Sequence, residues 1–159
     1  MAYDIGQSNG GSVDGARRLL ALADHLETIR DRDYDHRTWR RRRPDGGWTM
    51  CALGHAITAL PEVIGLRWRA SDSSDVVRLD GTGVMEAPLT LAAEAFGLTD
   101  DEARMIFGVG LYTVSFYGPR AVLPASPRDV AAAIRAFALS RLASQLYPLA
   151  ADEVSEVVA

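Results

Sequence analysis

The amino-acid sequence predicts a compact, single-domain, mainly α fold of about five helices with a minor β-hairpin. Apolar residues recur at helical spacing, capping residues mark helix starts, and one short stretch alternates in polarity. The chain has 159 residues, of which 48% are hydrophobic and 24% charged, a composition typical of globular proteins. We expect a flexible tail over residues 1–12, a helical domain over 13–147 and a C-terminal tail over 148–159.

The first helix is predicted from Val13 to Ile29. Its apolar residues form one stripe at helical spacing, made of Leu19, Leu22, Ala23, Leu26 and Ile29. Residues 30–47 are strongly charged and end in the turn sequence Pro-Asp-Gly-Gly at 44–47. We therefore interpret residues 30–47 as a surface connection.

The second helix is predicted to begin at Thr49, as N-cap, and to end before Pro61. One side of this helix is apolar and carries Met50, Leu53, Ala56, Ile57 and Leu60. The opposite side carries Cys51, His55 and Thr58. Because the second side is not needed for the apolar stripe, another element, a ligand or solvent must meet it.

A short β-hairpin is predicted next, since Leu66–Ala70 alternates in polarity and Asp75–Leu79 is rich in β-branched residues. Pro88 then opens a helix that runs to Phe96. Gly97 is expected at the C′ position that ends this helix.

A further pair of helix starts follows. Thr99-Asp-Asp-Glu102 is a capping box for a helix that ends at Phe107. Residues 111–117 predict either a third strand or an aromatic-rich loop. Ser126-Pro-Arg-Asp129 starts the last helix, which runs to Leu146.

The last helix is apolar on two faces. Val130, Ala133, Ile134 and Phe137 line one face, and Leu139, Leu142 and Leu146 line the other. A helix with two apolar faces is either central to the core or covered by a partner subunit. This pattern favours a protein partner or a homodimer.

Composition and charge limit the classes of function that we expect for this chain. All 17 basic residues are Arg, the formal net charge is −4, and this acidic balance argues against a dedicated nucleic-acid binder. No apolar run is long enough to span a bilayer, and the N-terminus lacks the features of a secretory signal. One cysteine, Cys51, forms no internal disulfide, as is typical of a reducing compartment. We therefore expect a cytoplasmic protein without membrane contact.

Two short patterns carry a family resemblance. These are Gly47-x-x-x-Cys-Ala-Leu-Gly-His-Ala56 and Phe96-Gly-Leu-Thr-x-x-Glu-Ala-x-x-x-Phe107. Together they resemble a broad set of small bacterial and phage proteins of unknown function, whose pattern is Cys-Gly-Thr-x-x-Cys-x-x-Gly-Trp/His-Ala followed by a Gly-Leu-Thr corner. The resemblance covers residues 15–107 and implies an order of helical elements but no activity. This chain has Gly46 in place of the first cysteine and Trp48 in place of the threonine.

Cys51 and His55 are the candidates for catalysis. With Thr49 as N-cap, Cys51 lies at N2, where the helix dipole favours a thiolate, and His55 is its i,i+4 neighbour. A cysteine nucleophile also requires a base and an orienting group from elsewhere in the fold. No histidine follows His55 in the sequence. Packing of a small cysteine at a helix junction is therefore favoured over enzymatic activity.

The same two residues are candidates for metal binding. His25 and His36 are the other histidines, and either of them or an acid among Asp31, Asp33 and Asp35 is available to complete a tetrahedron with Cys51 and His55. A structural zinc site normally shows a second paired motif, which is missing here. We therefore predict no metal and no cofactor.

An arginine-rich segment is the candidate for nucleic-acid contact. It contains Arg37, Trp39, Arg40, Arg41, Arg42 and Arg43. Arginine cations pair with phosphates and a tryptophan ring stacks on a base, as nucleic-acid contact requires. The segment is equally suited to ion pairs with the acidic residues 31–35 or with the acidic C-terminal half of the chain.

The sequence thus predicts a small non-enzymatic binding or regulatory protein that acts through a protein partner or a second copy. A nucleic-acid-associated accessory protein using Arg37–Arg43 is one alternative. A thiol- or metal-dependent activity at Cys51 and His55 is another.

Overall fold

A computed structural model describes residues 13–108 and 126–146, and within these ranges it contains six helices and two antiparallel two-stranded sheets. The helices are α1 (Val13–Glu27), α2 (Ala52–Ala59), α3 (Pro61–Ile64), α4 (Pro88–Phe96), α5 (Asp100–Phe107) and α6 (Pro127–Leu146). The strands are β1 (Arg41–Arg42), β2 (Trp48–Thr49), β3 (Leu66–Trp68) and β4 (Val76–Arg78). The predicted mainly α fold class is confirmed, with a one-turn helix, α3, added.

The core forms where α1 packs along α6 and against α2 and α4, with α5 packed against α4. Its largest fully buried side chains come from all of these helices, and they include Leu19, Leu22, Leu26, Leu53, Ile57, Phe96, Ile106 and Ile134. Full burial of such a side chain stabilises the fold by about 1.5–3 kcal/mol. Gly15 lets α1 approach the end of α4 closely, because a Cβ there would lie 2.2 Å from the carbonyl oxygen of Phe96.

Two predicted helix boundaries are wrong by two residues. Helix α1 ends at Glu27 rather than Ile29, because the amides of Thr28 and Ile29 bond to carbonyls three residues back in a tighter turn. Helix α2 begins after Cys51, which is its N-cap with extended backbone angles. Thr49 does not cap this helix, since it pairs with Arg41 in the β1–β2 sheet.

The expectation that residues 30–47 form only a surface connection is also wrong. This segment contributes β1, a 3₁₀ turn over Asp31–Asp33 and a parallel bridge from Tyr34 to Met50. Tyr34 and His36 are buried. The segment is therefore a structural layer that covers one side of α2.

Three other local predictions, the hairpin, Gly97 and the capping box, are confirmed. Strands β3 and β4 pair with Leu66 opposite Arg78 and Trp68 opposite Val76. Gly97 adopts a left-handed conformation with φ of 60° after α4. Both bonds of the capping box of α5 form, between Thr99 and Glu102.

The start of α6 follows its sequence signal, because the Ser126 hydroxyl accepts hydrogen bonds from the amides of Arg128 and Asp129. The predictions for residues 1–12, 111–117 and 148–159 lie outside the described residues. Among the described helices, none has the length and apolarity to cross a membrane.

Candidate functional site

Cys51 lies at the junction between β2 and α2, and it is enclosed on all sides. Its amide donates to the carbonyl of Thr38 at 2.6 Å, and the residue is 2% exposed. The thiol borders a cavity of about 30 Å³ that is also lined by His36, Trp39 and Phe107. Burial raises the pKa of the Cys51 thiol to about 11. The position therefore favours the neutral thiol over a thiolate nucleophile.

The close packing around Cys51 depends on Gly54, one turn into α2. A Cβ at this position would lie 2.1 Å from the carbonyl oxygen of Trp39 and 2.9 Å from the Cβ of Met50. Gly54 thus lets the backbone of the covering segment lie directly on the helix. This contact seals the Cys51 side of α2 from solvent.

His55 lies on the same helix, but its ring contacts a different set of groups. Its Nε2–H donates to the carbonyl of Asp33 at 3.0 Å, which places the ring proton on Nε2. The ring stacks on Tyr34 with a centroid distance of 6.2 Å and lies 5.8 Å from the ring of His25. Desolvation by burial lowers the pKa of His55.

All three histidines of the chain therefore lie close to Tyr34 or to one another. The Tyr34 hydroxyl is 2.8 Å from Nδ1 of His36, which is buried. Burial lowers the pKa of both His36 and His25. The lowered pKa values favour the neutral form of all three rings.

These contacts do not assemble a metal site. Within residues 13–108 and 126–146, no three His, Cys, Asp or Glu side chains are placed to hold one metal ion. His55 gives its Nε2–H to a backbone carbonyl, and the Cys51 thiol is held protonated. The geometry offers no support for the alternative of a thiol- or metal-dependent activity at Cys51 and His55.

The arginine-rich segment divides into enclosed and exposed members. The Arg40 guanidinium lies between two indole rings, 3.9 Å from the centroid of Trp48 and 4.9 Å from that of Trp68. It also donates to the carbonyls of Ser71 and Ser73 in the β3–β4 loop. Arg40 thus joins the two hairpins through contacts within the chain.

Arg43 has a comparable internal role. It pairs with Asp33 and, at 3.0 Å, with Asp45, and its side chain is 17% exposed. The bond from Arg43 lowers the pKa of the Asp33 carboxyl. Trp39 packs against the core. Neither Arg43 nor Trp39 is therefore available for the predicted nucleic-acid contact.

Arg37, Arg41 and Arg42 remain at the surface. Arg37 and Arg41 lie 3.4 Å and 3.8 Å from the carboxylate of Asp35. Arg42 lies 5.9 Å from the ring centroid of Trp48. The predicted six-residue contact surface is thereby reduced to three exposed cations, two of which have an acidic neighbour.

The last helix presents the other site that the sequence singled out. Val130 and Ile134 are buried against the core, whereas Leu139 is 52% and Leu146 is 69% exposed. Leu142 is partly buried. The first predicted face is thus the core face, and the second is largely open to solvent.

The exposed face of α6 is wider than the sequence analysis indicated. Ala132, Ala136 and Ala143 are also exposed, and they lie on the same side as the leucines. Sequence reasoning missed them because alanine gives a weak periodicity signal. We define the α6 face as Ala132, Ala136, Leu139, Ala143 and Leu146.

A polar cavity of about 260 Å³ was not predicted at all. It lies between α1, α3, α4 and the β3–β4 hairpin, with Arg18, Glu62, Arg78 and Glu94 among its lining residues. Arg78 pairs there with Glu86 and Glu94, and Arg18 donates to the carbonyl of Ala95 at 2.7 Å. No local sequence pattern predicts this cavity, because its lining residues come from five separate helices and strands.

Comparisons of the chain with models of protein families, with curated proteins and with solved structures found no match, so the resemblance to small bacterial and phage proteins stays a prediction.

Proposed function

We propose that this chain is a small, non-enzymatic cytoplasmic binding protein that acts by protein–protein contact along the α6 face. The observation that carries the proposal is the exposure of Leu139 and Leu146 on a helix whose opposite side is fully engaged in the core. An exposed apolar stripe on a soluble domain is typical of an interaction surface. The burial of Cys51 and His55 supports a non-enzymatic role, since a substrate has no access to either side chain.

Site-specific photocrosslinking in cells that make the protein tests this proposal. A photoreactive amino acid is placed at Leu139 and, as a matched control, at Met85, which is an exposed apolar residue away from α6. We expect one dominant adduct from position 139, absent from position 85 and lost when Leu146→Asp is added. If position 139 gives no adduct beyond the control, the proposal is wrong.

A nucleic-acid-associated role is the second candidate, supported by the exposure of Arg37, Arg41 and Arg42. The informative variant replaces these three arginines with serine and leaves Arg40 and Arg43, which have internal contacts, unchanged. Loss of a salt-sensitive mobility shift with RNA or DNA in this variant would favour this role. The absence of any shift in the unaltered protein at low salt would exclude it.

A further inference from the structure

His55 lies where three parts of the chain meet. Its ring, on α2, has a centroid distance of 5.8 Å to the ring of His25 on α1. On its other side it lies 6.2 Å from the ring of Tyr34, in the segment that covers α2. His55 and Tyr34 are buried, and His25 is partly buried. Two imidazoles therefore face each other beneath a cover that carries an aromatic ring.

Residues 31–38 form this cover, and we define them as the strap. Only Tyr34 and His36 of the strap are buried, and the Tyr34 hydroxyl lies 2.8 Å from Nδ1 of His36. The strap thus has two buried side chains that hold it on α2, whereas α1 is held by the core that it shares with α6. Among the elements around His55, the strap is therefore the one that is displaced most easily.

The backbone of the strap bonds to α2 and to the residues just before it. The carbonyl of Asp33 accepts the amide of Met50 at 3.2 Å and the Nε2–H of His55 at 3.0 Å. The carbonyl of Thr38 accepts the amide of Cys51 at 2.6 Å. Because the strap runs continuously between these two carbonyls, its displacement at Asp33 also uncovers the side of α2 that carries Cys51.

Protonation alters the contact between His25 and His55 in two ways. Nε2 of His55 already carries a proton, so a second proton goes to Nδ1 and places a cation among buried groups. Protonation of His25 as well puts two like charges side by side. Both effects are relieved when the strap moves away and water reaches the rings. Mild acid is sufficient, because the ordinary pKa of histidine is about 6.5.

The carboxylate that faces His55 from the strap is already engaged by other cations. Asp33 is paired with Arg43 and, at 2.8 Å, with Arg30. Its attraction for a proton on His55 is outweighed by burial, which lowers the pKa of the ring. From α1, the group that faces His55 is His25, which adds repulsion once it is protonated.

The remaining titratable groups near the strap also leave the added charge uncompensated. Tyr34 is a neutral phenol at these pH values, and the buried thiol of Cys51, on the same side of α2, is held protonated. Asp35 lies beside His36 in the strap, and it is paired with Arg37 at 3.4 Å.

We propose that the strap is a proton-sensitive cover: protonation of His55 and His25 displaces it from α2 and opens the Cys51 side of the helix. The core between α1 and α6 stays folded in the open form. Because the strap and the α6 face are different parts of the surface, this inference does not depend on the proposed function.

Labelling of the native thiol tests the proposal, since Cys51 is the one cysteine of the chain. The full chain reacts with dithiodipyridine at about pH 7.5 and at about pH 5, and each rate is divided by that of the urea-unfolded chain at the same pH. This division removes the effect of thiol ionisation. We expect the ratio to rise at least about tenfold at the lower pH, because each histidine that regains its ordinary pKa raises the open population by up to about 30-fold. A smaller rise overturns the proposal.

Urea separates opening of the strap from unfolding of the whole chain. Opening of the strap exposes little surface, so the labelling rate at the lower pH should hardly change at urea concentrations well below the unfolding transition. Circular dichroism of the same samples locates this transition. A labelling rate that depends on urea as steeply as global unfolding does overturns the proposal.

Glutamine variants test whether the histidine pair is the trigger. His55→Gln retains an N–H donor for the carbonyl of Asp33 but takes up no proton, and it should reduce the acid-induced rise at least about threefold. His25→Gln changes a partly buried ring and should have the same effect, and it decides the test if His55→Gln does not fold. Met85→Gln, at an exposed position outside the strap and α2, is the control and keeps the full rise. A full rise in either folded histidine variant overturns the proposal.

Discussion

Helices α2 and α6 differ in which of their side chains face solvent. The distinctive side chains of α2, Cys51 and His55, are chemically reactive types, and both are buried. The distinctive side chains of α6, such as Leu139 and Leu146, are chemically inert, and they are exposed. A substrate in solution cannot reach the buried side chains of Cys51 and His55. Exposed apolar surface, in contrast, is unfavourable in water unless a binding partner covers it. The contrast favours binding over catalysis.

Thiol alkylation is expected to show the largest difference between the two helices. The native Cys51 should react with iodoacetamide at least roughly 1000-fold more slowly than in the urea-unfolded chain, because reaction requires opening of the core. The exposed cysteine of a Leu139→Cys variant should react within about tenfold of a free thiol. Rates are measured by mass spectrometry. Rapid labelling of native Cys51 would show that the α2 side opens to solvent.

The substitution Gly54→Ala tests how tightly the covering segment lies on α2. We expect a loss of about 3 kcal/mol in the free energy of unfolding, because the new methyl group meets the Trp39 backbone. Gly65→Ala is the control, since it has no neighbouring atom within 4 Å but a φ of 73°. Its loss should be about 1 kcal/mol, from backbone conformation alone. Equal losses in urea titrations would contradict the close contact.

The three histidines, of which His36 and His55 are buried, predict a pH dependence of stability. The pKa values of His25, His36 and His55 are lowered in the folded chain, so the unfolded chain binds protons first as the pH falls below about 6.5. The contribution of these histidines to the free energy of unfolding should therefore be complete above about pH 6.5 and should decrease as the pH falls below that value. Urea titrations at several pH values measure this change, and His55→Gln should reduce its slope. An unchanged stability across this range would contradict the neutral, buried state.

The smallest expected difference is between neighbouring arginines. Arg40→Ala should cost about 1–2 kcal/mol, because its guanidinium stacks between Trp48 and Trp68. Arg41→Ala should cost no more than about 0.5 kcal/mol, since it makes one exposed ion pair. Thermal unfolding of both variants measures the difference. Similar costs would indicate that the Arg40 stack adds nothing to stability.

The sequence predicted correctly the helix starts whose capping contacts are made by residues close together in the chain. The capping box at Thr99–Glu102 and the Ser126 cap are satisfied by groups within three residues, so the sequence contains all of their information. The role of Thr49 was predicted wrongly because its backbone pairs with the neighbouring strand β1. Two-residue strands such as β1 are too short to show a periodicity in the sequence.

The candidate site was predictable only in part. Helical spacing correctly separated the two sides of α2, but nothing in the sequence indicated that Tyr34 and His36 would cover the second side. The arginine-rich segment was recognised, yet the stacking of Arg40 depends on Trp68, 28 positions further along the chain. For α6 the helical period indicated two apolar faces, and the structure places one of them in the core and leaves the other largely exposed.

The pairing of α1 with α6 has a consequence for biosynthesis. The Arg135–Asp24 contact joins residues 111 positions apart, and the core between these helices needs both of them. At the usual rates of about 5–20 residues per second, the ribosome requires roughly 5–20 s to make the intervening chain. During this interval the apolar stripe of α1 has emerged without its packing partner. We therefore expect nascent chains to bind chaperones up to the point at which α6 leaves the exit tunnel.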